Sequence, residues 1–170
     1  MTKPQEKPSR TPAANPQERP SRIPWPPLLL AISLVASVAL QGLYPLRFGR
    51  GEAGEILKGA GIVALVVAIL FTALAIRELR KSNTTIKAHR SASHLVSGGP
   101  YALSRNPIYL GMIVALLGLG LIAGNAWLIL SAVLCGFAVQ KLAIEREEAH
   151  LEHRFGKAWR DYRKRVRRWI

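Results

Sequence analysis

Four apolar runs divide this chain, at roughly 27–44, 59–76, 107–123 and 126–144. The first three hold no charged residue, and the fourth holds only Lys141, near its end. Each run is about as long as a helix needs to cross the ~30 Å hydrocarbon core of a bilayer. Backbone polar groups in lipid must pair within their own segment, so the runs predict helices rather than open strands. A soluble bundle is a poor alternative. Apolar residues make up 49% of the 170-residue chain, which leaves too little polar surface to cover four buried helices.

The charges are segregated from these runs. The chain holds 24 basic and 10 acidic residues, for a net charge of +14. Segments on alternate sides of the four runs carry 21 basic residues against 3. The three are Arg47, Arg50 and Lys58, between the first two runs. The positive-inside rule then places both termini and the middle loop in the cytoplasm, as in a bacterial inner (plasma) membrane. Topology accounts for most of the basic excess, so no nucleic-acid partner is expected. The tail is suited to anionic membrane lipids instead.

Residues 1–24 carry six of the eleven prolines, spaced every four residues. They read as a disordered Pro-rich and basic leader ahead of an uncleaved anchor. Residues 25–76 hold two spans, joined by a loop at 45–58 that carries "RFGRGEAG". Residues 77–170 form the functional core. Within it, Gly124-Asn125 marks a tight turn, making the third and fourth spans an antiparallel hairpin. Gly111, Gly118, Gly120 and Gly124 give the third span small surfaces for close helix contact. The tail from 141 to 170 places Leu151, Phe155, Trp159, Tyr162, Val166 and Trp169 on one stripe of a charged helix. Such a helix can lie on the membrane or cap the bundle mouth, and Gly156 bends or breaks it. The lone cysteine, Cys135, reads as packing, and His150 and His153 as a surface pair rather than a metal site.

The stretch "GPYALSRNPIYLG", from Gly99 to Gly111, leads into the third span. Asn106 is suited to cap that helix, and Pro107 to occupy its first position. Tyr101 and Tyr109 are suited to the interface. The antiparallel hairpin brings this entrance level with Glu145, Glu147 and Glu148 at the exit of the fourth span. Successive helical side chains differ by about 100°, so one of Glu147 and Glu148 is expected to face the mouth. Arg105 and Glu148 are the charged candidates for a catalytic part, with an ordinary ion pair as the plainer reading.

Two separated blocks, "HLVSGGPYALSRNPIYLG" and "EEAHLEHRFGKAWRDYRKRVRRWI", resemble the isoprenylcysteine carboxyl methyltransferase family. That family is related to the phospholipid methyltransferases. Its pattern is Leu-Val, Gly-x-Tyr and Arg-His-Pro-x-Tyr-x-Gly, then Glu-Glu-x-x-Leu and Phe-Gly-x-x-Tyr-x-x-Tyr. The resemblance covers roughly residues 77–170. It implies an all-α integral membrane enzyme with four transmembrane helices, a C-terminal helical hairpin and a cytoplasmic amphipathic tail helix. It further implies S-adenosyl-L-methionine as cofactor, with no metal. The methyl acceptor would be lipophilic and enter from the bilayer, for carboxyl O- or amine N-methylation. Carried over by position, the cofactor site would comprise Ser93, His94, Leu95, Val96, Tyr101, Asn106, Pro107, Ile108, Tyr109 and Glu147. Three positions depart from the pattern. Asn106 replaces histidine, Ala143 stands where eukaryotic members carry a substrate arginine, and Trp159 replaces the first tail tyrosine. Two other readings stay open: a membrane scaffold keeping the motif only as helix caps, and a sterol-reductase-like NADPH enzyme.

Overall fold

The computed structural model describes residues 25–82 and 95–170. All regular structure among them is helical: α1 (Trp25–Leu43), α2 (Gly51–Lys81), α3 (Pro107–Ala123), α4 (Ala126–Val139), α5 (Glu145–Phe155) and α6 (Lys157–Arg165). A 3-10 turn at Gly99–Ala102 precedes α3, and a π turn at Gln140–Ile144 joins α4 to α5 without a break. By length and composition, α1, α2 and the continuous Ala126–Phe155 helix can each cross a membrane; α3 is a shorter apolar helix. The four apolar runs are therefore helices, as expected. The leader falls outside the described residues.

The 31 residues of α2 rise about 46 Å, well beyond a ~30 Å hydrocarbon core. Its last turn, with Arg80 and Lys81, therefore stands clear of the apolar section. At its other end the expected loop of 45–58 is much shorter. The helix begins at Gly51, because Gly49 and Gly51 turn the backbone at φ of +71° and +62°. The sequence after them, with Glu52 in the first turn, suits a helix start.

The helices stand in a row. The hairpin of α3 and α4 is central, α2 packs on α3, and α1 packs on α4. The α2–α3 contact is the most intimate. Gly54, Gly61, Ala68 and Ala75 are the buried residues of α2, one every seven positions, and Gly111 and Gly118 on α3 repeat at the same interval. A seven-residue period keeps one seam facing its partner along a left-handed crossing. A Cβ built on Gly118 would lie 2.8 Å from the Gly61 carbonyl oxygen, and one on Gly61 would lie 2.7 Å from that of Gly118. Backbone cannot swing aside as a side chain can. Gly118→Leu is therefore expected to cost about 1–3 kcal/mol or more by overpacking, read as a lowered unfolding temperature in detergent.

On the other flank, Ser37 donates from Oγ to Ser131 Oγ at 2.8 Å, tying α1 to α4. The hairpin turn follows the Gly-Asn signal. Gly124 is left-handed at φ +56°, and Asn125 Oδ1 accepts from the backbone N–H groups of Trp127 (2.9 Å) and Leu128 (3.4 Å). Loss of this cap in Asn125→Ala is expected to cost about 1 kcal/mol, measurable in the same unfolding assay.

The tail is two helices, not one. Gly156, at φ +50° and ψ −114°, breaks the chain between α5 and α6. The expected stripe then closes on itself: Trp159, Tyr162 and Val166 are buried together, with Leu95, Leu151 and Phe155 against them. Trp169, the last member, packs on the bundle core around Leu116, Val139 and Ile144. The tail therefore caps the end of the bundle, and its stripe is not left free to lie on a membrane.

Candidate functional site at the hairpin mouth

Tyr101 rides on the 3-10 turn, which Gly99 opens at φ +57°. This turn sits against Glu78 of α2; a Cβ on Gly98 would meet its Oε1 at 3.5 Å. The Tyr162 hydroxyl from α6 donates to the Tyr101 carbonyl oxygen at 2.6 Å. Turn and tail are thereby locked together.

Asn106 does not play its expected part. Its side chain makes no cap bond to α3. Instead Nδ2 donates to the Arg168 carbonyl oxygen at 3.1 Å, while its backbone N–H donates to Ser104 Oγ at 3.1 Å. The Ser104 hydroxyl donates to the same Arg168 oxygen at 3.2 Å, and the Arg105 N–H donates to the Arg167 carbonyl at 3.0 Å. Residues 104–106 thus grip the backbone of the tail. Donation from Nδ2 to the tail carbonyl fixes the orientation of the amide, and Oδ1 does not accept from the free N–H groups of α3. Pro107 does occupy the first position of α3, fully buried.

Both glutamates face the mouth, where one was expected. They lie in the first turn of α5, just past the π turn, whose extra residue shifts the phase of everything after it. Glu147 turns toward α3 and accepts from the Tyr109 hydroxyl, through Oε2, at 3.1 Å. Its charge also acts on Tyr101, whose pKa is pushed up first by burial and then by Glu147. Glu148 turns toward the tail. Arg168 donates to it bidentately, Nε to Oε1 at 3.1 Å and Nη2 to Oε2 at 2.7 Å. Arg105 Nη2 approaches Glu148 Oε1 at 3.3 Å, and its guanidinium lies 5.6 Å from the centre of the Trp159 ring. Burial lowers the Arg105 pKa, and the Glu148 charge opposes that shift.

The two halves differ in chemical character. Arg105, Glu148 and Arg168 form a clasp in which two guanidiniums meet one carboxylate. Tyr101, Tyr109 and Glu147 form an open set: two phenols and a carboxylate that, among the described residues, is bonded only by Tyr109. Of the other expected positions, Leu95 packs on the Trp159 cluster, and Val96 and Ile108 are half-buried. Ser93 and His94 lie outside the described residues. Arg168, Ser104 and Gln140, which accepts from Trp169 Nε1 at 3.0 Å, were not legible beforehand. Arg168 sits inside a run of basic residues, and nothing in that run singles it out. The aromatic stripe through Trp169 was the one signal that this segment folds inward.

The family model for "Phospholipid methyltransferase" matches residues 57–158, which takes in most of α2, the whole hairpin and the start of α6. A Schizosaccharomyces pombe protein described as protein-S-isoprenylcysteine O-methyltransferase is 34% identical over 106 residues, covering 55% of this chain and 44% of the yeast protein. The chain therefore spans under half the length of that relative. An uncharacterized Haemophilus influenzae protein is 35% identical over 63 residues, covering 37% of this chain and all of that protein. No solved structure matches. On the extent of the family match, which reaches across the paired arms of the mouth, this chain belongs to the phospholipid methyltransferase family.

Proposed function

We propose that the protein is a membrane methyltransferase using S-adenosyl-L-methionine, with a lipophilic acceptor that enters from the bilayer. The carrying observation is the convergence of Tyr101, Tyr109 and Glu147 at one end of the hairpin, in a chain of this family. In this reading α3 is a fourth crossing, held between α2 and α4. The mouth then lies on the cytoplasmic side, with 21 of the 24 basic residues on that side of the membrane.

The residues present suit the cofactor. A carboxylate with one oxygen bonded by Tyr109 leaves the other to accept from a ribose hydroxyl or an ammonium group. The tyrosine ring faces of residues 101 and 109 favour a nearby cation such as a sulfonium. Backbone at Leu95 and Val96 would flank the adenine. When bound, S-adenosylmethionine supplies an electrophilic methyl group. The chain's part is to hold it in line with the acceptor and keep water out, and the tail packed over the mouth serves the second task. Arg105 and Glu148 act in this account by fastening that tail. Asn106 carries no titrating ring, so proton handling there is not part of the mechanism.

The scaffold reading needed the motif as helix caps, and Asn106 makes no such bond. The test is transfer. Membranes enriched in the protein, given S-adenosylmethionine with a labelled methyl group, are expected to move label into an organic-extractable product. Label that stays in the aqueous phase across lipid extracts and prenylated or amine-bearing lipids would overturn the proposal. Asn106→His is expected to keep cofactor binding, because either side chain can donate to the Arg168 carbonyl.

A further inference from the structure

At the opposite end of the bundle, the α1–α2 connection is stitched to the hairpin turn. Phe48 N–H donates to the Gly124 carbonyl at 3.1 Å, and Ala126 N–H donates to the Leu46 carbonyl at 3.1 Å. Trp127 Nε1 donates to the Tyr44 carbonyl at 2.7 Å. This backbone platform walls a cavity of about 260 Å³ with Gly49 on one side. Arg47, Arg50 and Lys58 line it, and no acid does. Lys58 Nζ also reaches the exposed Glu55 at 2.7 Å. Among the described residues, Arg47 and Arg50 pair with no carboxylate. Glu52 and Glu55, near the start of α2, lie outside the lining. The remaining wall is apolar, with Leu57 of α2 and Ile122 of α3. In the following turns of α2, on the side of Lys58, come the exposed apolar side chains Ile62, Val66 and Ile69.

We infer that this cavity binds the phosphate of a membrane phospholipid, its acyl chains lying along α2. Three observations converge on that occupant. Two unpaired guanidiniums match an anionic oxygen cluster in fork geometry. The cavity stands where the apolar helices end, at headgroup depth. An apolar wall beside the cations suits an amphiphile, and a free anion would leave it unused. The start of α2, whose N-cap position Arg50 makes no side-chain cap bond, adds a partial positive charge. The site is remote from the mouth, so the inference stands or falls separately from methyl transfer.

The test uses the full chain, stripped of lipid in neutral detergent and titrated by native mass spectrometry with three probes. Dioleoyl phosphatidylglycerol is expected to bind saturably. Dioleoylglycerol, with the same chains and no phosphate, and inorganic phosphate alone are expected to bind far more weakly. R47Q/R50Q is expected to weaken phosphatidylglycerol binding roughly tenfold or more, at about 1 kcal/mol per cation near a lipid surface. A control, R163Q/K164Q, alters the opposite end and is expected to leave this binding unchanged. Circular dichroism checks that R47Q/R50Q keeps its helices; if it does not, the single variants R47Q and R50Q, each expected to weaken binding about fivefold, carry the test. Equal binding of dioleoylglycerol, comparable binding of inorganic phosphate, or unchanged affinity in the arginine variants would overturn the inference.

Discussion

Glu148→Ala is expected to loosen the C-terminal tail from the bundle, at a cost of about 3 kcal/mol or more. The Glu148 side chain is 10% exposed and receives two guanidiniums, Arg168 at 2.7 Å and Arg105 at 3.3 Å. Its removal leaves Arg105, whose side chain is also only 8% exposed, as an uncompensated buried charge. Two of its donors, Nε and Nη1, already lack hydrogen-bond partners. The Trp159 ring beneath it cannot replace a carboxylate. Trypsin cleavage at Arg163 and Arg165 should then accelerate about 100-fold, since ~3 kcal/mol shifts an opening equilibrium by that factor. Arg168→Ala should cost less, because its side chain is 28% exposed and water can take part of its place. Equal protection of the tail in wild type and Glu148→Ala would show that the clasp is incidental.

Glu147→Ala should have the opposite profile. The tail clasp does not run through Glu147, so tail protection should change little. Binding of S-adenosylmethionine should fall about 10- to 100-fold, the worth of one or two hydrogen bonds to a charged acceptor. Tyr109→Phe, which keeps the ring and removes the hydroxyl that orients the carboxylate at 3.1 Å, should give a smaller loss. Isothermal titration of the detergent-purified variants measures both. Wild-type affinity in Glu147→Ala would mean the cofactor contacts lie elsewhere in the mouth.

The contrast between neighbouring glutamates explains what sequence could and could not reveal. Long apolar runs announce helices in lipid through length alone, and Gly124-Asn125 announces the hairpin through turn chemistry. The stripe from Leu151 to Trp169 announces a tail with one apolar face through its spacing, but whether that face meets the membrane or the bundle is decided by the packing of Trp159, Tyr162 and Trp169. The π turn is not announced. Nothing in "QKLAI" differs from ordinary helix, yet its π geometry shifts the phase of the helix just before Glu147 and Glu148. The role of Asn106 is set by a carbonyl 62 residues away. A contact made by tail backbone leaves no mark on side-chain identity. The row order of the helices was equally hidden, because lipid-facing and partner-facing apolar residues look alike in composition. On α2 only the seven-residue interval of small residues betrays the packed face, and it is clear only once the Gly118 backbone lies against it.

The claim beneath the functional account is that the entrance of α3 and the exit of α4 into α5 form one cofactor site. Equilibrium binding to the purified full chain, with S-adenosylmethionine and NADPH titrated side by side, tests it most directly. Saturable binding of S-adenosylmethionine with none of NADPH is the predicted result. Binding of NADPH alone, or of neither, would contradict it.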